Sequence, residues 1–299
     1  MSARQLIMAT RRSALALAQS RAFARSLEAA TPGLTVSELL VVTTGDKITD
    51  VPLNKVGGKG LFTKEIEEAL DRGEADFAVH SYKDVPAELA DRFVVACVPL
   101  RADARDVIVT RDGAGLEAVA HGARVGTSSL RRSLQLRLAR PDLEIVPLRG
   151  NVDTRLRKLD EGQLDAIVLA RAGLLRLGLE QRASTPLDPM LVIPAPGQGA
   201  LAIECRAGDH ATQAVLARMT DHDSEVTVAC ERGVMLAVGG NCETPFGAHA
   251  IKRGAELTLC AVLVSGDSVQ RVERTVPWPA DRASAFRIGV DLGRALLAK

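Results

Sequence analysis

The chain has 299 residues, of which 46% are hydrophobic and 25% charged, and a formal net charge of +1. That length accommodates two or three domains with proper cores, and near-neutral charge without acidic or basic blocks excludes a general polyanion or membrane-surface binder. Aromatic residues make up 3% of the chain, too few for a platform that stacks single-stranded nucleic acid.

The cations are unevenly chosen, with 8 Lys against 30 Arg. Guanidinium groups make planar two-pronged bonds to carboxylates and phosphates. Composition alone leaves surface ion pairs as an equal alternative. The five cysteines, Cys97, Cys205, Cys230, Cys242 and Cys260, form no CxxC pair and lie beside no histidines at zinc-ligand spacing, so no metal is expected. MSARQLIMATRRSALALAQS lacks the continuous apolar region and cleavage site of a secretory signal. No run approaches a membrane span. A cytoplasmic protein with no nucleic-acid or membrane partner is expected.

Strand-like and helix-like runs alternate from the start. QLIMAT is expected to be a strand, SALALAQSRAFARSLEAA a helix and LTVSELLVVTT a strand. A glycine-rich loop, GDKITDVPLNKVGGKG, precedes the helix LFTKEIEEALDR and the strand ADFAVHS. This order predicts an α/β lobe with a mainly parallel sheet. A second α/β unit runs from DVIVT through ARVGTSS, SLRRSLQLRLAR, LEIVPL and VDTRLRKLDEG to DAIVLAR. The Pro-rich stretch STPLDPMLVIPAPGQG predicts a crossing linker, after which ALAIECR is placed to return to the first sheet. From residue 221 a helix, SEVTVACERGVMLAV, three β-type runs and a last helix, ASAFRIGVDLGRALLA, predict a small α+β domain. The expected division is residues 1–100 plus about 198–218 for lobe 1, 104–194 for lobe 2 and 221–299 for the C-terminal domain. Two such lobes would leave a central cleft, a common ligand site.

Four stretches could carry chemistry. In VGTSSLRRSLQL, the hydroxyl residues Thr127, Ser128 and Ser129 precede a helix, and Arg131 and Arg132 occupy its first turn. Cations there oppose the helix dipole, which favours an anion-binding role; an ordinary cap with two solvated arginines is the plain alternative. In PLRGNVDTRLRKL, Arg149 and Arg155 flank a second strand-to-helix turn, where open α/β sheets bind ligands. In KVGGKGLFTKE, Lys55 and Lys59 bracket two glycines without forming a Walker loop; lid and plain connector fit equally. In AVHSYKDVP, the strand ends at Lys83 and Asp84, either a surface pair or a carboxylate for proton and cation chemistry. His80 reads as structural. Cys242 follows Gly239-Gly240, a helix-ending pair, and so belongs to a loop.

Taken together, ATRRSALALAQS, VGGKGLFTKEIEEAL, AVHSYKDVP, VGTSSLRRSLQL, LRGNVDTRL, PAPGQGALAIE and the GGNC loop closely resemble the porphobilinogen deaminase (hydroxymethylbilane synthase) family over nearly the whole chain. The resemblance implies two lobes of periplasmic-binding-protein type plus the small C-terminal domain. It implies a transferase that joins four porphobilinogen molecules head to tail, releases ammonia and hydrolyses off hydroxymethylbilane. It implies a covalent dipyrromethane cofactor, built from porphobilinogen and tethered to Cys242 by a thioether, with Asp84 as the catalytic group. Lys83, Thr127, Ser129, Arg131 and Arg132 would hold the cofactor. Arg11, Ser13, Arg149, Arg155, Arg176 and Gln198 would meet substrate, and Lys55 and Lys59 would belong to an active-site loop. A monomer is expected. The chain departs from the family pattern at Asn241, Glu243 and Thr244 around the cysteine, and at Tyr82, where a methionine is usual. Two rival readings remain: a ligand-binding module without turnover, and a hydrolase with Cys242 as nucleophile and His249 as base.

Overall fold

A computed structural model describes residues 4–47, 61–183, 185–240, 244–265 and 268–298. The chain divides into two compact units. The first comprises residues 1–101 and 200–225, the second residues 102–199 and 226–299.

The first unit is built on a five-stranded sheet of order β2-β1-β3-β10-β4. Its strands are β1 (Arg4–Arg11), β2 (Leu34–Val41), β3 (Phe77–Ser81), β4 (Phe93–Cys97) and β10 (Leu201–Arg206). β2 and β3 run parallel to β1, whereas β10 runs antiparallel to both β3 and β4. One face packs Phe77, Val79, Ile203 and Cys205 against Phe23 and Leu27 of helix α1 (Ala14–Ala30). The spacing of Phe23 and Leu27 places them on one helical face, and Ser13 caps the helix by accepting from Ala16 N at 3.3 Å. Helix α3 (Lys64–Asp71) packs Ile66 and Leu70 near Ala9, Ala78 and Phe93. The short helix α2 is Thr44–Lys47.

The second unit holds two sheets. One has the order β7-β6-β8-β5-β9, with β5 (Asp106–Thr110), β6 (Arg124–Gly126), β7 (Glu144–Val146), β8 (Ala166–Ala170) and β9 (Thr185–Pro186). β5 and most of β8 are buried, which explains their unbroken apolar runs. Around them lie α4 (Leu130–Ala139), α5 (Val152–Asp160) and α6 (Arg171–Arg176). The other sheet is an antiparallel meander of β11 (Phe246–Arg253), β12 (Glu256–Ser265) and β13 (Ser268–Pro277). It packs with α8 (His222–Ala237) and α9 (Arg282–Leu297) through Val226, Cys230, Leu257, Leu259 and Leu292. These helices approach so closely that a Cβ on Gly289 would lie 1.8 Å from the Cys230 carbonyl oxygen. Helix α7 (His210–Leu216) belongs to the first unit.

This arrangement corrects the expected fold class. The expectation was two periplasmic-binding-protein-like α/β lobes around a central cleft, the first with a mainly parallel sheet, and a separate C-terminal α+β domain. The structure has two compact units, and the meander is part of the second. Ile193 packs with Cys260 and Val262, Ala248 N donates to Pro194 O at 3.0 Å, and Arg271 donates to Met190 O. The Pro-rich stretch, expected as a linker, is thereby bound to the meander. Both five-stranded sheets are mixed, because β10 and β5 run against their neighbours.

Candidate functional site

In the first unit, Asp84 opens onto a small hollow that is open to solvent, lined among others by Arg11, Ser13, Gln19, Phe62, His80 and Ser81. Asp84 ends a 3-10 turn, Tyr82–Asp84, that follows β3 directly. The turn is pinned from behind. Tyr82 is 3% exposed, and its N–H donates to Ala200 O at 3.0 Å. A large aromatic ring is thus buried at this position, while the carboxylate one residue beyond Lys83 remains exposed.

The hollow's rim is held by charge. Arg11 Nε lies 3.2 Å from both Asp46 carboxylate oxygens, and its guanidinium stacks 4.3 Å from the centroid of the Phe62 ring. Asp46 also accepts from the Thr43 hydroxyl at 2.8 Å. Burial alone would raise the Asp46 carboxyl, but Arg11 and Thr43 outweigh it and hold the group below its ordinary range. Gln19 and Ser81 exchange hydrogen bonds at 3.1 and 3.2 Å.

A second cluster lies in the other unit, around Asp106. This carboxylate is fully buried at the start of β5. Arg131 donates to its Oδ2 at 2.8 Å; Arg132 donates to Oδ1 at 2.7 and 3.1 Å; Gln198 Nε2 donates to Oδ1 at 2.8 Å. Burial pushes the Asp106 carboxyl up, but the two guanidiniums override that and hold it well below the carboxylate range. Arg131 and Arg132 are each 6% exposed, so they are interior groups, not solvated cations of a helix end. Ser129 caps α4 by accepting from Arg132 N at 3.4 Å. Buried Thr127 accepts from Ser129 N at 3.2 Å.

Cations outnumber anions here. Arg155 is pulled down to about 10, by burial first and then by the charges of Arg132 and Arg149. Its Nε donates to Gly150 O at 2.7 Å, and no carboxylate is among its hydrogen-bond or ion-pair partners in the described residues. One Arg149 terminal nitrogen is buried with no hydrogen-bond partner among the described residues. Arg176, also lowered to about 10 by burial, donates to Gly199 O at 2.6 Å. A buried donor without a partner costs about 1–3 kcal/mol, more when charged. The cluster is therefore suited to an incoming anion such as a carboxylate or phosphate, both of which match guanidinium forks.

The four described cysteines, Cys97, Cys205, Cys230 and Cys260, are free and buried. Burial pushes the first three thiols up to about 12 and Cys260 to about 11, so none is a ready nucleophile. Cys242, with Asn241 and Glu243, lies outside the described residues, as do Lys55 and Lys59. Gly240 and Thr244, the nearest described residues on either side of the cysteine, belong to the same unit as the arginine cluster. His249 Nδ1 lies 3.2 Å from the buried Glu231 carboxylate. Among the described residues no cluster of His, Cys, Asp or Glu could hold a metal, and no helix is long and apolar enough to cross a membrane.

Reading the sequence missed Asp106, Asp46, Phe62 and the role of His80 in lining the hollow. Asp106 stands at the head of the apolar run DVIVT, where an acid entering a buried strand was the available signal.

Two sequence models of one family match the chain. The first, described as porphobilinogen deaminase, dipyromethane cofactor binding domain, matches residues 6–214; the second, the porphobilinogen deaminase C-terminal domain, matches residues 226–298. The chain belongs to the porphobilinogen deaminase family. The porphobilinogen deaminase of Sorangium cellulosum is 57% identical over 294 residues, covering 98% of each chain. That of Syntrophobacter fumaroxidans is 49% identical over 299 residues, covering 99% of this chain and 96% of its own. As a porphobilinogen deaminase the protein is a transferase of tetrapyrrole biosynthesis, joining porphobilinogen units on a dipyrromethane cofactor to give hydroxymethylbilane. Solved structures are more distant. The BenM effector binding domain with benzoate has a TM-score of 0.45 at 13% identity, covering 73% of this chain and 91% of its own. The Bordetella pertussis BvgS VFT2 domain has 0.42 at 17% identity, covering 72% and 86%.

Proposed function

We propose that this porphobilinogen deaminase divides its work between two sites. The carboxylate of Asp84 faces the reacting carbon, and the arginines around Asp106 hold the carboxylates of the dipyrromethane and of the growing product. Each pyrrole of porphobilinogen carries an acetate and a propionate, so a chain of several rings is a polyanion. The observation that carries this reading is the surplus of positive charge: buried Arg131 and Arg132 and half-buried Arg149 and Arg155, with Asp106 as the one buried counter-charge among the described residues.

The donor set fits the cofactor. Arg131 and Arg132 keep their orientation through Asp106 and through bonds to Ile193 O and Val168 O; Arg149 and Arg155 add cations with no acidic partner assigned. Ser129 and Thr127 supply neutral donors in the same unit, and Lys83, of the first unit, is assigned to the cofactor as a cationic donor. When bound, the dipyrromethane supplies the pyrrole carbon to which the first porphobilinogen is joined. Cys242 is its tether in this reading. The other four thiols are buried and held protonated, and only Cys242 lies on a segment between a helix end and a strand start of the arginine-bearing unit. Arg11, Ser13, Arg176 and Gln198 are assigned to substrate and product carboxylates, and Lys55 and Lys59 to the loop that precedes Phe62. A monomer in a reducing cytoplasm, where a free thiol persists until it is alkylated, suits this chemistry.

Loss of ammonia from the aminomethyl group leaves a cationic methylene-pyrrole. A fixed carboxylate stabilises that charge as it develops, without reorganisation at the moment of reaction. Asp84 is held for this by the pinned turn behind it. Steady-state assays of porphobilinogen consumption test the assignment. Asp84→Ala abolishes turnover and Asp84→Glu retains a remnant; near-normal activity in the alanine variant overturns it.

A further inference from the structure

An ionisable cluster that the reading above does not use reaches the Asp84 hollow through His80. His80 lines the hollow and is 6% exposed. On antiparallel β3 and β10, Ala202 pairs with His80 and Ala78 with Glu204. His80 and Glu204 therefore project from one face on a diagonal, opposite to the face that carries Phe77, Val79 and Ile203. The His80 Nε2 lies 2.8 Å from Glu204 Oε2. Glu204 is 1% exposed, and neither of its oxygens has a well-aligned hydrogen bond among the described residues. A carboxylate buried so completely is costly unless an opposite charge meets it. Glu67 approaches from α3. Its carboxyl is raised, by burial first and then by the charge of Glu204.

We propose that His80 is a further catalytic residue of this enzyme, a proton carrier whose Nε2 is anchored by Glu204 and whose Nδ1 serves the hollow beside Asp84. The proposal rests on the chemistry taking place at that hollow. In each round the substrate C–N bond breaks and its electron pair leaves with nitrogen as ammonia. A new C–C bond forms between the attacking pyrrole and the exposed methylene carbon. The C–H bond at the attacked ring carbon then breaks, its electron pair returning to the ring and its proton passing to His80. The imidazolium, stabilised by Glu204, gives that proton to ammonia, which departs as ammonium. Protons balance within one round, and no external acid or base is consumed. Asp84 faces the developing cation in this scheme, so the two roles fall to different side chains. The placement matches the general logic of a base oriented by a third group.

The charged groups around His80 are Glu204 on β10, Glu67 on α3, which Arg92 also meets, and Asp84 and Arg11 of the hollow's lining. Neutral His80 is the accepting form, so the proposal expects activity to be lost in acid. It expects Glu204→Gln, which removes the anchor charge, to move that limb to lower pH, and Glu204→Asp to restore it.

The experiment uses primer-loaded enzyme, with loading checked by intact mass, and His80→Gln, His80→Asn, Glu204→Gln, Glu204→Asp and Asp84→Ala. NMR titration of ring-labelled histidine, with the His80 signal assigned by its loss in His80→Gln, reads the imidazole directly. The proposal expects kcat to fall about 100-fold or more in both His80 variants, with KM within about 3-fold and the acid limb abolished. It expects the NMR midpoint and the kinetic limb to move down together in Glu204→Gln. His80→Gln or His80→Asn retaining the wild-type limb and kcat overturns it, as does a limb that stays fixed while the NMR midpoint moves. An active Asp84→Ala would overturn the placement of the chemistry itself, separately from the role of His80.

Discussion

Asp106→Asn is the sharpest perturbation of the arginine cluster. Asparagine keeps the shape of the side chain but removes its charge. In the native protein Arg131 and Arg132 direct three N–H donors at this carboxylate, and Gln198 directs a fourth. Gln198 keeps its bond to Ala104 O at 2.7 Å, so the loss falls on two guanidiniums that are each 6% exposed. Removing one partner of a buried ion pair costs about 3–5 kcal/mol. In a protein of this size each kcal/mol lowers Tm by about 2–4 °C, so primer-free Asp106→Asn melts about 6–20 °C below the parent. The linkage adds a second reading. The native carboxyl is held below its ordinary value, so its stabilisation is present above the unfolded pKa of about 3.9 and fades as pH falls through the lower folded value. The gap between parent and variant is therefore constant from pH 5 to 8, as round working limits of about those values, and closes only in stronger acid. Calorimetry or circular-dichroism melts of primer-free protein measure both effects. A Tm shift under about 2 °C at neutral pH, against that scale, refutes the claim that Asp106 is the counter-charge holding this cluster together.

Arg155→Gln removes a cation that burial and two neighbouring arginines disfavour; primer-free protein is expected to melt at the same temperature or slightly higher, while primer occupancy by intact mass falls. Primer-free destabilisation comparable to that of Asp106→Asn would contradict the surplus-charge reading. Gly289→Ala drives a methyl group into the Cys230 carbonyl across α8 and α9 and costs about 3 kcal/mol. Gly208→Ala, where no atom lies within 4 Å of the added carbon, stays within about 0.5 kcal/mol. Urea titration of both checks this, and equal midpoints would show that the helices do not pack as closely as described.

Element types were legible in the sequence where periodicity was strong. The stretch SALALAQSRAFARSLEAA becomes α1 with Ser13 as its cap, and DAIVLAR becomes the buried core strand β8. Strand direction was not legible, because an apolar run reads the same in either direction; β10 thus made the first sheet mixed where a mainly parallel one was expected, and β5 does the same in the second, whose direction no pattern indicated. The Pro-rich stretch carried turn signals, but its bonds to the meander come from backbone groups such as Pro194 O and Met190 O, which no side-chain pattern reveals. Arg131 and Arg132 were visible as anion-site candidates from their place in the first helical turn. Their burial was not, since it depends on Asp106, more than twenty residues earlier in a strand. His80 read as structural for the same reason: its partner Glu204 is 124 positions away, brought alongside only by the pairing of β3 and β10.

The tether is tested most directly by the intact mass of protein purified from cells that make porphobilinogen. The account predicts a wild-type chain heavier than its sequence by two linked pyrroles, and a Cys242→Ser chain at the bare sequence mass. An unmodified wild-type chain, or an adduct that survives in Cys242→Ser, would contradict it.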